Sequence, residues 1–304
     1  MKTYVLTFCV VSVAIGVTFF LQKIPSKPPV LSSSRDTSSF AKVEHSSHLF
    51  DPIFFAQAYK KGEKYKKVAS QRVFGGIVPH HLLAAPLIAG FFDGIAYQDV
   101  ATIILLSPNH YGVGPHNMAT SQGTWTTLFG KLEPDIAKIS QLEADQIAWT
   151  SEDLFKTEHG IYSITPFIKK TFPQAKIIPI AIKGSTPKEE CDMLVDWLHA
   201  VFDKQTIVIV SSDFSHYLPS RVADIYDKES LGAIASFNTQ KIFTLDHIKN
   251  SDSPESLYIL LRFMQLEKAT KQTLLEHTNS AKLSNQPDLS ETTSYFTIYF
   301  SKDE

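Results

Sequence analysis

The chain has 304 residues, of which 43% are hydrophobic and 20% are charged, so it is long enough to form one large α/β domain with a sizeable core. The net charge of −2 and the lack of a basic patch interleaved with aromatic residues exclude the usual nucleic-acid-binding surface, and no nucleic-acid partner is expected. The only cysteines are Cys9 and Cys191, so we expect no disulfide within the folded domain.

The first predicted element is an apolar segment, residues 4–21, which carries no charge and lies between Lys2 and Lys23. With 18 residues it just reaches the lower end of the range, about 17–25 residues, that a membrane-spanning helix needs. A cleaved signal peptide is the alternative, but no Ala-x-Ala-like site follows the segment. We therefore predict a single N-terminal membrane anchor over residues 1–22, a Ser/Pro-rich linker over 23–45 and an extracytoplasmic α/β domain over 46–304.

The folded domain opens with a β-α-β pattern. Val73–Val78 and residues 102–106 are short, aliphatic and free of charge, which is typical of strands buried on both faces of a parallel sheet. Residues 82–96 between them are long enough for a crossover helix. The two strands lead into Pro79-His80 and Pro108-Asn109-His110. Because ligands of open α/β sheets bind beyond the carboxyl ends of the strands, both histidines are expected at one edge of the sheet.

A third apolar strand, residues 206–210, also leads into a histidine, since the loop 211–217 that follows contains Asp213 and His216. A lone histidine after a strand is usually an ordinary hydrogen-bonded loop residue. Three such endings in one sheet favour a shared polar site instead. Histidine is the commonest metal ligand and the usual general base near neutral pH.

The rest of the chain alternates between helices and strands. Helices are predicted over residues 51–67, 135–143, 161–170, 187–202, 221–236, 238–246 and 255–269, and strands over 176–182, 273–278 and 294–300. Pro179 within its strand predicts an edge position or a bulge. The last two strands are predicted to be antiparallel and to complete a mixed sheet.

The motifs, taken in series, resemble those of the Memo family, whose bacterial members are named AmmeMemoRadiSam system protein B. The matching pieces are Pro79-His80, Ser107-Pro108-Asn109-His110, Glu158-His159, Ser211-Ser212-Asp213-Phe214-Ser215-His216-Tyr217 and a late Asp-Ser-Pro before a helix. They occur in matching order over residues 73–300, and the block 211–217 is the most specific. The resemblance implies a three-layer α/β/α fold with a central mixed, mostly parallel sheet, similar to the LigB subunit of class III extradiol dioxygenases.

The resemblance also implies a pocket in which two histidines and a third ligand, a cysteine in the animal proteins, hold a redox-active metal. By motif, His80 and His110 match the two histidines. The stretch 250–252 contains no cysteine; ungapped counting places Asn250 at that position, whereas ligand chemistry favours Asp252. Two histidines and a carboxylate would form the facial triad of non-haem Fe(II) oxygenases. The alternative for Asp252 is a cap of the helix that follows it.

Three further residues are predicted to serve catalysis. His159 or His216 would act as a general base or hydrogen-bond bound oxygen, and Asp213 would orient a neighbouring side chain. The alternative for Asp213 is a cap of the loop after its strand.

Two departures from the family pattern alter the expected pocket wall. Tyr162 stands where the family has a glutamate, and Leu82 and Leu83 replace a glycine and an aromatic residue. The substrate class is therefore not carried over from the family.

The preferred function is that of a membrane-tethered, Memo-like protein that binds a divalent metal and performs dioxygenase-like chemistry. Fe(II) is the preferred metal, and zinc and copper are the alternatives. The expected partner is a small molecule or peptide. One alternative is a non-catalytic metal- or peptide-binding module, which the missing cysteine and glutamate favour. Another is zinc-assisted hydrolysis. All metal-dependent hypotheses require the rings of His80 and His110 to lie within about 7 Å of each other.

Overall fold

A nine-stranded mixed sheet forms the centre of the protein in the computed structural model, which describes residues 43–303. The strands of residues 43–303 are β1 (Glu44–Ser46), β2 (Val73–Val78), β3 (Thr102–Pro108), β4 (Met118–Thr120), β5 (Thr124–Thr127), β6 (Gly130–Leu132), β7 (Trp149–Thr150), β8 (Lys176–Ile182), β9 (Thr206–Ser211), β10 (Phe214–Leu218), β11 (Lys271–Asn279) and β12 (Thr292–Ser301). Of these, β1, β5 and β6 form a separate three-stranded sheet. The large sheet has the order β10–β12–β2–β9–β3–β8–β4–β7, and β11 pairs with β12. The four central strands β2, β9, β3 and β8 are parallel, and β12 runs antiparallel to β2. The predicted α/β fold with a central mixed sheet is therefore confirmed.

Helices cover both faces of this sheet. They are α1 (Pro52–Gly62), a 3₁₀ turn (Leu82–Ala84), α2 (Ala85–Gly94), α3 (Ile136–Ala144), α4 (Glu152–Phe155), α5 (His159–Tyr162), α6 (Thr165–Thr171), α7 (Lys188–Val201), α8 (Ser220–Ala235), α9 (Thr239–Phe243), α10 (Pro254–Leu266) and α11 (Ser280–Leu283). Alternate residues of β3 enter two different apolar clusters: Ile104 and Leu106 pack with α7 and α10, and Ile103 and Leu105 with α2 and α6. Both faces of the central strands are thus buried, as their uninterrupted apolar sequences predicted.

The central strands extend to the residues of interest. β3 continues to Pro108, just before His110, and β9 continues to Ser211, two residues before Asp213. Because β9 lies between β2 and β3, the loops that follow these three strands leave the same edge of the sheet side by side.

The position predicted for Pro179 is wrong, because β8 is an interior strand between β3 and β4. The short strand β4 begins its pairing at Ile180 and does not extend to Pro179. The missing N–H of the proline therefore costs no ladder hydrogen bond on that side, and the Pro179 carbonyl accepts one from the Thr120 hydroxyl at 2.8 Å.

One predicted helix is two separate helices. The stretch 161–170 falls on α5 and α6, which are separated after Tyr162 and restart at Thr165. Pro166 lies in the first turn of α6, where its missing N–H is tolerated, whereas within a continuous helix it would remove a hydrogen bond.

The prediction of a membrane-anchored protein must be corrected. The longest helix between residues 43 and 303 is α8, with 16 residues, and no helix in this range is long and apolar enough to cross a bilayer. The apolar segment 4–21 lies outside the described residues, as does most of the predicted linker. The predicted linker–domain boundary, which strand β1 spans, stays a prediction.

Candidate metal centre

The imidazoles of His80 and His110 converge at the carboxyl edge of the sheet. Their ring centroids lie 4.9 Å apart with planes nearly perpendicular, well within the limit of about 7 Å for two ligands of one ion. His80, after β2, is only 2% exposed, while His110, after β3, is partly exposed. Two strands that are separated by β9 thus bring their histidines into one polar pocket.

Asp252 completes a group of three with these histidines. Its Oδ2 atom lies 3.2 Å from His80 Nε2 and 3.7 Å from His110 Nε2. The carboxylate is held by the Ser212 hydroxyl, which donates to Oδ1 at 2.8 Å, and by the backbone N–H of Asp213, which donates to Oδ2 at 3.2 Å. These two hydrogen bonds orient the carboxylate towards the two imidazoles.

The helix-cap alternative for Asp252 is not what the structure shows. The N-cap of α10 is Ser253, and no side chain makes a capping hydrogen bond there. Asn250, the other residue considered for the third ligand, is directed elsewhere, since its amide donates to the Tyr226 carbonyl and to the Glu229 carboxylate.

His159 brings a third imidazole to the group. It begins α5, and its ring stacks on that of His110 at 3.9 Å and lies 5.0 Å from that of His80. One ring nitrogen from each of the three histidines lies within 4.8 Å of the other two. Two ligands at bonds of about 2.1 Å are at most about 4.2 Å apart, and the contacts of Asp252 with His80 and His110 lie within this limit.

Two polar residues contact the outer nitrogens of the histidine pair. Glu158, which is 1% exposed, places Oε1 2.6 Å from His110 Nδ1, and Ser211 places Oγ 3.2 Å from His80 Nδ1. The sequence motifs contained both residues, but sequence reasoning assigned neither a role. Ser211 is the last residue of β9, the strand between β2 and β3, and this position in the sequence could have indicated that it lies next to the histidines.

The close carboxylates favour protonated imidazoles in the metal-free pocket. Burial by itself would lower the pKa of His110, but hydrogen bonds with Asp252 and Glu158 raise it to about 10. Burial likewise opposes the charge of His80, but Asp213 and Asp252 raise its pKa. Although burial would raise the pKa of Asp252, the charge of His80 and the contact with His110 hold it well below its usual range.

His159 has the opposite tendency. Burial, together with the neighbouring His80 and His110, lowers the pKa of His159 to about 4. This imidazole is therefore neutral at pH 7, in part because it stacks on His110, whose raised pKa keeps a positive charge beside it.

Asp213 lies within the group and His216 at its edge. Asp213 is 3% exposed; its Oδ1 accepts the backbone N–H of His80 at 3.1 Å, and its Oδ2 lies 3.7 Å from His80 Nε2. His216 lowers the pKa of Asp252 by its charge, but among the described residues its ring contact is with Tyr217, at 5.8 Å. His216 Nδ1 is buried without a hydrogen-bond partner in the same part of the chain.

Four of the other seven histidines lack motif support and make contacts outside this group. His199 and His247 contact Glu267 and Glu255, at 2.7 and 3.1 Å, and His116 stacks on Trp149. His277 lies 2.8 Å from Asp227 and, with Asp224, forms a second group of ligand-type side chains between α8 and β11. In that group Asp224 already pairs with Lys282, at 3.1 Å.

Comparisons with known proteins agree with the motifs. The family model described as Memo-like protein matches residues 53–299. A MEMO1 family protein of Pyrobaculum arsenaticum is 26% identical over 242 residues, covering 76% of this chain and 84% of the relative. One from Caldivirga maquilingensis is 29% identical over 247 residues, with the same coverage. The crystal structure of an uncharacterized protein from Escherichia coli K12 has a TM-score of 0.44 and 10% identity, covering 74% of this chain and 99% of that one.

Proposed function

The chain belongs to the Memo family, and we propose that its His80, His110 and Asp252 hold one divalent metal ion, with Fe(II) as the resident metal. The observation that supports this most directly is the distance from Asp252 Oδ2 to the Nε2 atoms of the two histidines, 3.2 and 3.7 Å. Two imidazoles and one carboxylate form the ligand set of non-haem Fe(II) oxygenases, which leaves coordination positions for substrate and O₂.

The chemistry of the donor set fits such an ion. His80 and Asp252 are nearly buried, at 2% and 11% side-chain exposure, so a cation at the Nε2 atoms would face the carboxylates of Asp252 and Asp213 with little competing water. Both imidazoles have their outer nitrogens engaged by Glu158 and Ser211. Ligands that are fixed by a second layer of hydrogen bonds are typical of metal sites.

We assign the neighbouring residues to proton transfer and orientation. A bound Fe(II) would supply redox chemistry with O₂ at its open positions. His159, neutral at pH 7 because its pKa is about 4, would accept a hydrogen bond from a substrate hydroxyl through its unprotonated ring nitrogen. Asp213 would fix the backbone of His80 through its contact with the His80 N–H, and His216 would be the alternative general base.

A second candidate is zinc-dependent hydrolysis. The observation that favours it is the third imidazole, since His80, His110 and His159 each place a ring nitrogen within 4.8 Å of the others. Three histidines with one open position are the ligand set of catalytic zinc in carbonic anhydrase. In this case Asp252 would orient a ligand instead of binding the ion.

Metal analysis of the full chain, purified without oxygen, separates the two. We expect about one iron per chain in the wild type, and metal near background in His80→Ala and His110→Ala, because each variant removes one of three ligands. His199→Ala is the matched control, since it removes a histidine that also contacts a carboxylate but lies outside the pocket. It should retain the wild-type iron content.

Other results would contradict the Fe(II) proposal. Stoichiometric zinc with esterase activity that is lost in His159→Ala would favour hydrolysis. A wild-type chain that takes up neither metal when reconstituted would exclude both functions and support a non-catalytic module.

A further inference from the structure

We infer that Glu158, His159 and Gly160, called here the 158–160 segment, position both histidines of the pocket so that each directs Nε2 at Asp252. The inference rests on the metal site proposed above. The segment contacts His110 through the Glu158 carboxylate and His80 through the Gly160 carbonyl, with Ser211 as the bridge.

The contact with His110 determines which nitrogen of this ring carries a hydrogen. Glu158 Oε1 lies 2.6 Å from His110 Nδ1 and also accepts the N–H of Gly160 at 2.9 Å, and Oε2 accepts the backbone N–H of His110 at 3.0 Å. An ionised carboxylate only accepts hydrogen bonds. Nδ1 of His110 must therefore be the donor, which leaves Nε2, on the other side of the ring, for the pocket.

The contact with His80 also determines which ring nitrogen carries a hydrogen, but it runs through Ser211. The Ser211 hydroxyl lies 2.6 Å from the Gly160 carbonyl and 3.2 Å from His80 Nδ1. A carbonyl only accepts, so the single hydroxyl hydrogen of Ser211 is directed at Gly160, and Ser211 must accept from His80. His80 thus also carries a hydrogen on Nδ1, and its Nε2 is the atom 3.2 Å from Asp252.

The segment reaches both contacts because it lies directly against the end of β3. A Cβ atom at Gly160 would come 2.1 Å from the Ser107 hydroxyl, which real structures do not allow. Glycine at this position lets the start of α5 approach β3 and β9 together. Two histidines on non-adjacent strands therefore depend on the same short segment, His110 through Glu158 and His80 through Gly160 and Ser211.

The test removes the hydrogen-bond partner of each histidine in turn. Glu158→Ala removes the partner of His110, and Ser211→Ala removes that of His80. Glu152→Ala is the matched control, because Glu152 makes the same kind of contact with a histidine elsewhere: its Oε2 lies 2.7 Å from His45 Nε2, and its Oε1 accepts the N–H of Gln122.

Two measurements are made on the full chain. The first is the dissociation constant for Zn(II), by competition with a chelator; Glu158→Ala and Ser211→Ala should each weaken it about 10–100-fold, and Glu152→Ala should leave it unchanged. The second is the hydrogen-bonded Nδ1 proton of each histidine in metal-free protein, observed by NMR. Glu158→Ala should remove the signal of His110 alone, and Ser211→Ala that of His80 alone. Glu158→Gln, whose carbonyl still accepts from Nδ1, should restore part of the affinity.

The outcomes separate this inference from the proposed function. If the wild type binds no metal, the metal site fails, but the NMR measurement still decides whether the segment orients the rings. The inference is overturned if Glu158→Ala keeps the Nδ1 signal of His110, or if it binds Zn(II) as tightly as Glu152→Ala. If Glu158→Ala does not fold, Ser211→Ala decides by the same two criteria, applied to the Nδ1 signal of His80 and to the affinity for Zn(II).

Discussion

Protons occupy the candidate site in the metal-free protein. His110, whose pKa is raised to about 10 by Asp252 and Glu158 against the effect of burial, is protonated throughout the neutral range. His80, whose pKa is raised by Asp213 and Asp252, shares this tendency. An imidazole binds a metal only through an unprotonated nitrogen, so a metal ion must displace these protons from Nε2.

We therefore predict that metal affinity rises with pH between 6 and 8. In this range His110 lies below its pKa of about 10, so each displaced proton makes the affinity rise by up to about tenfold per pH unit. Asp252 adds nothing, since its lowered pKa keeps it ionised, and neither does His159, which is neutral above its pKa of about 4. Calorimetric titration with Zn(II) in two buffers of different ionisation enthalpy should give one to two protons released per ion. An affinity that does not change over this range would refute the prediction.

At the residue scale, sequence reasoning selected candidate ligands that lie in motifs, but it did not select the residues that contact these side chains. His80 and His110 each follow a buried strand, and this placement is visible in the sequence. Asp252 could not be distinguished from a helix cap, because both uses put an acidic residue just before Pro254. Glu158 was invisible as a partner of His110, since its contact depends on how closely α5 approaches β3.

Strand β2 carries His80 between two packed layers, and its glycines make this packing possible. A Cβ atom at Gly76 would lie 2.5 Å from Phe91 of α2, and one at Gly75 would lie 2.8 Å from Met264 of α10. Helices therefore contact β2 from both faces at the distance that only glycine allows. This close packing fixes the strand from which His80 extends.

Gly76→Ala should lower the free energy of unfolding by about 1–3 kcal/mol, because a methyl group is forced into a filled layer. Gly232→Ala is the control: a Cβ atom at Gly232, in α8, would meet no neighbouring atom within 4 Å, and alanine there should stabilise the helix by about 0.5–1 kcal/mol. Urea denaturation followed by circular dichroism measures both. A neutral Gly76→Ala would mean that Phe91 moves aside without cost.

At the element scale, the sequence predicts fully buried strands more reliably than it predicts the position of a strand whose neighbours are short. The uninterrupted apolar runs of β2, β3 and β9 predicted two-sided burial correctly, because few other environments tolerate such runs. Pro179 misled the prediction of β8, since the length of its neighbour β4 could not be read from the sequence. Pro166 did carry the signal that divides α5 from α6, and the helix prediction overlooked it.

For the whole molecule, the candidate ligands join parts of the chain that are far apart in sequence. His80 follows β2, His110 follows β3, and Asp252 precedes α10, which packs on one face of the sheet. The helix α2, which begins shortly after His80, packs on the other face. An ion bound by all three would therefore connect both layers at the carboxyl edge, and unfolding of either layer would release it.

Metal binding should consequently stabilise the whole fold. A ligand that binds only the folded state at 100 times its dissociation constant contributes about 2.7 kcal/mol, so the thermal midpoint should rise by several degrees when Zn(II) is added. The rise should disappear in His80→Ala and His110→Ala and persist in His199→Ala, whose histidine lies outside the pocket. Differential scanning calorimetry with and without metal measures the shift. An equal rise in His80→Ala would show that the ion binds elsewhere, because the ligands from three distant segments would then not be needed for the stabilisation.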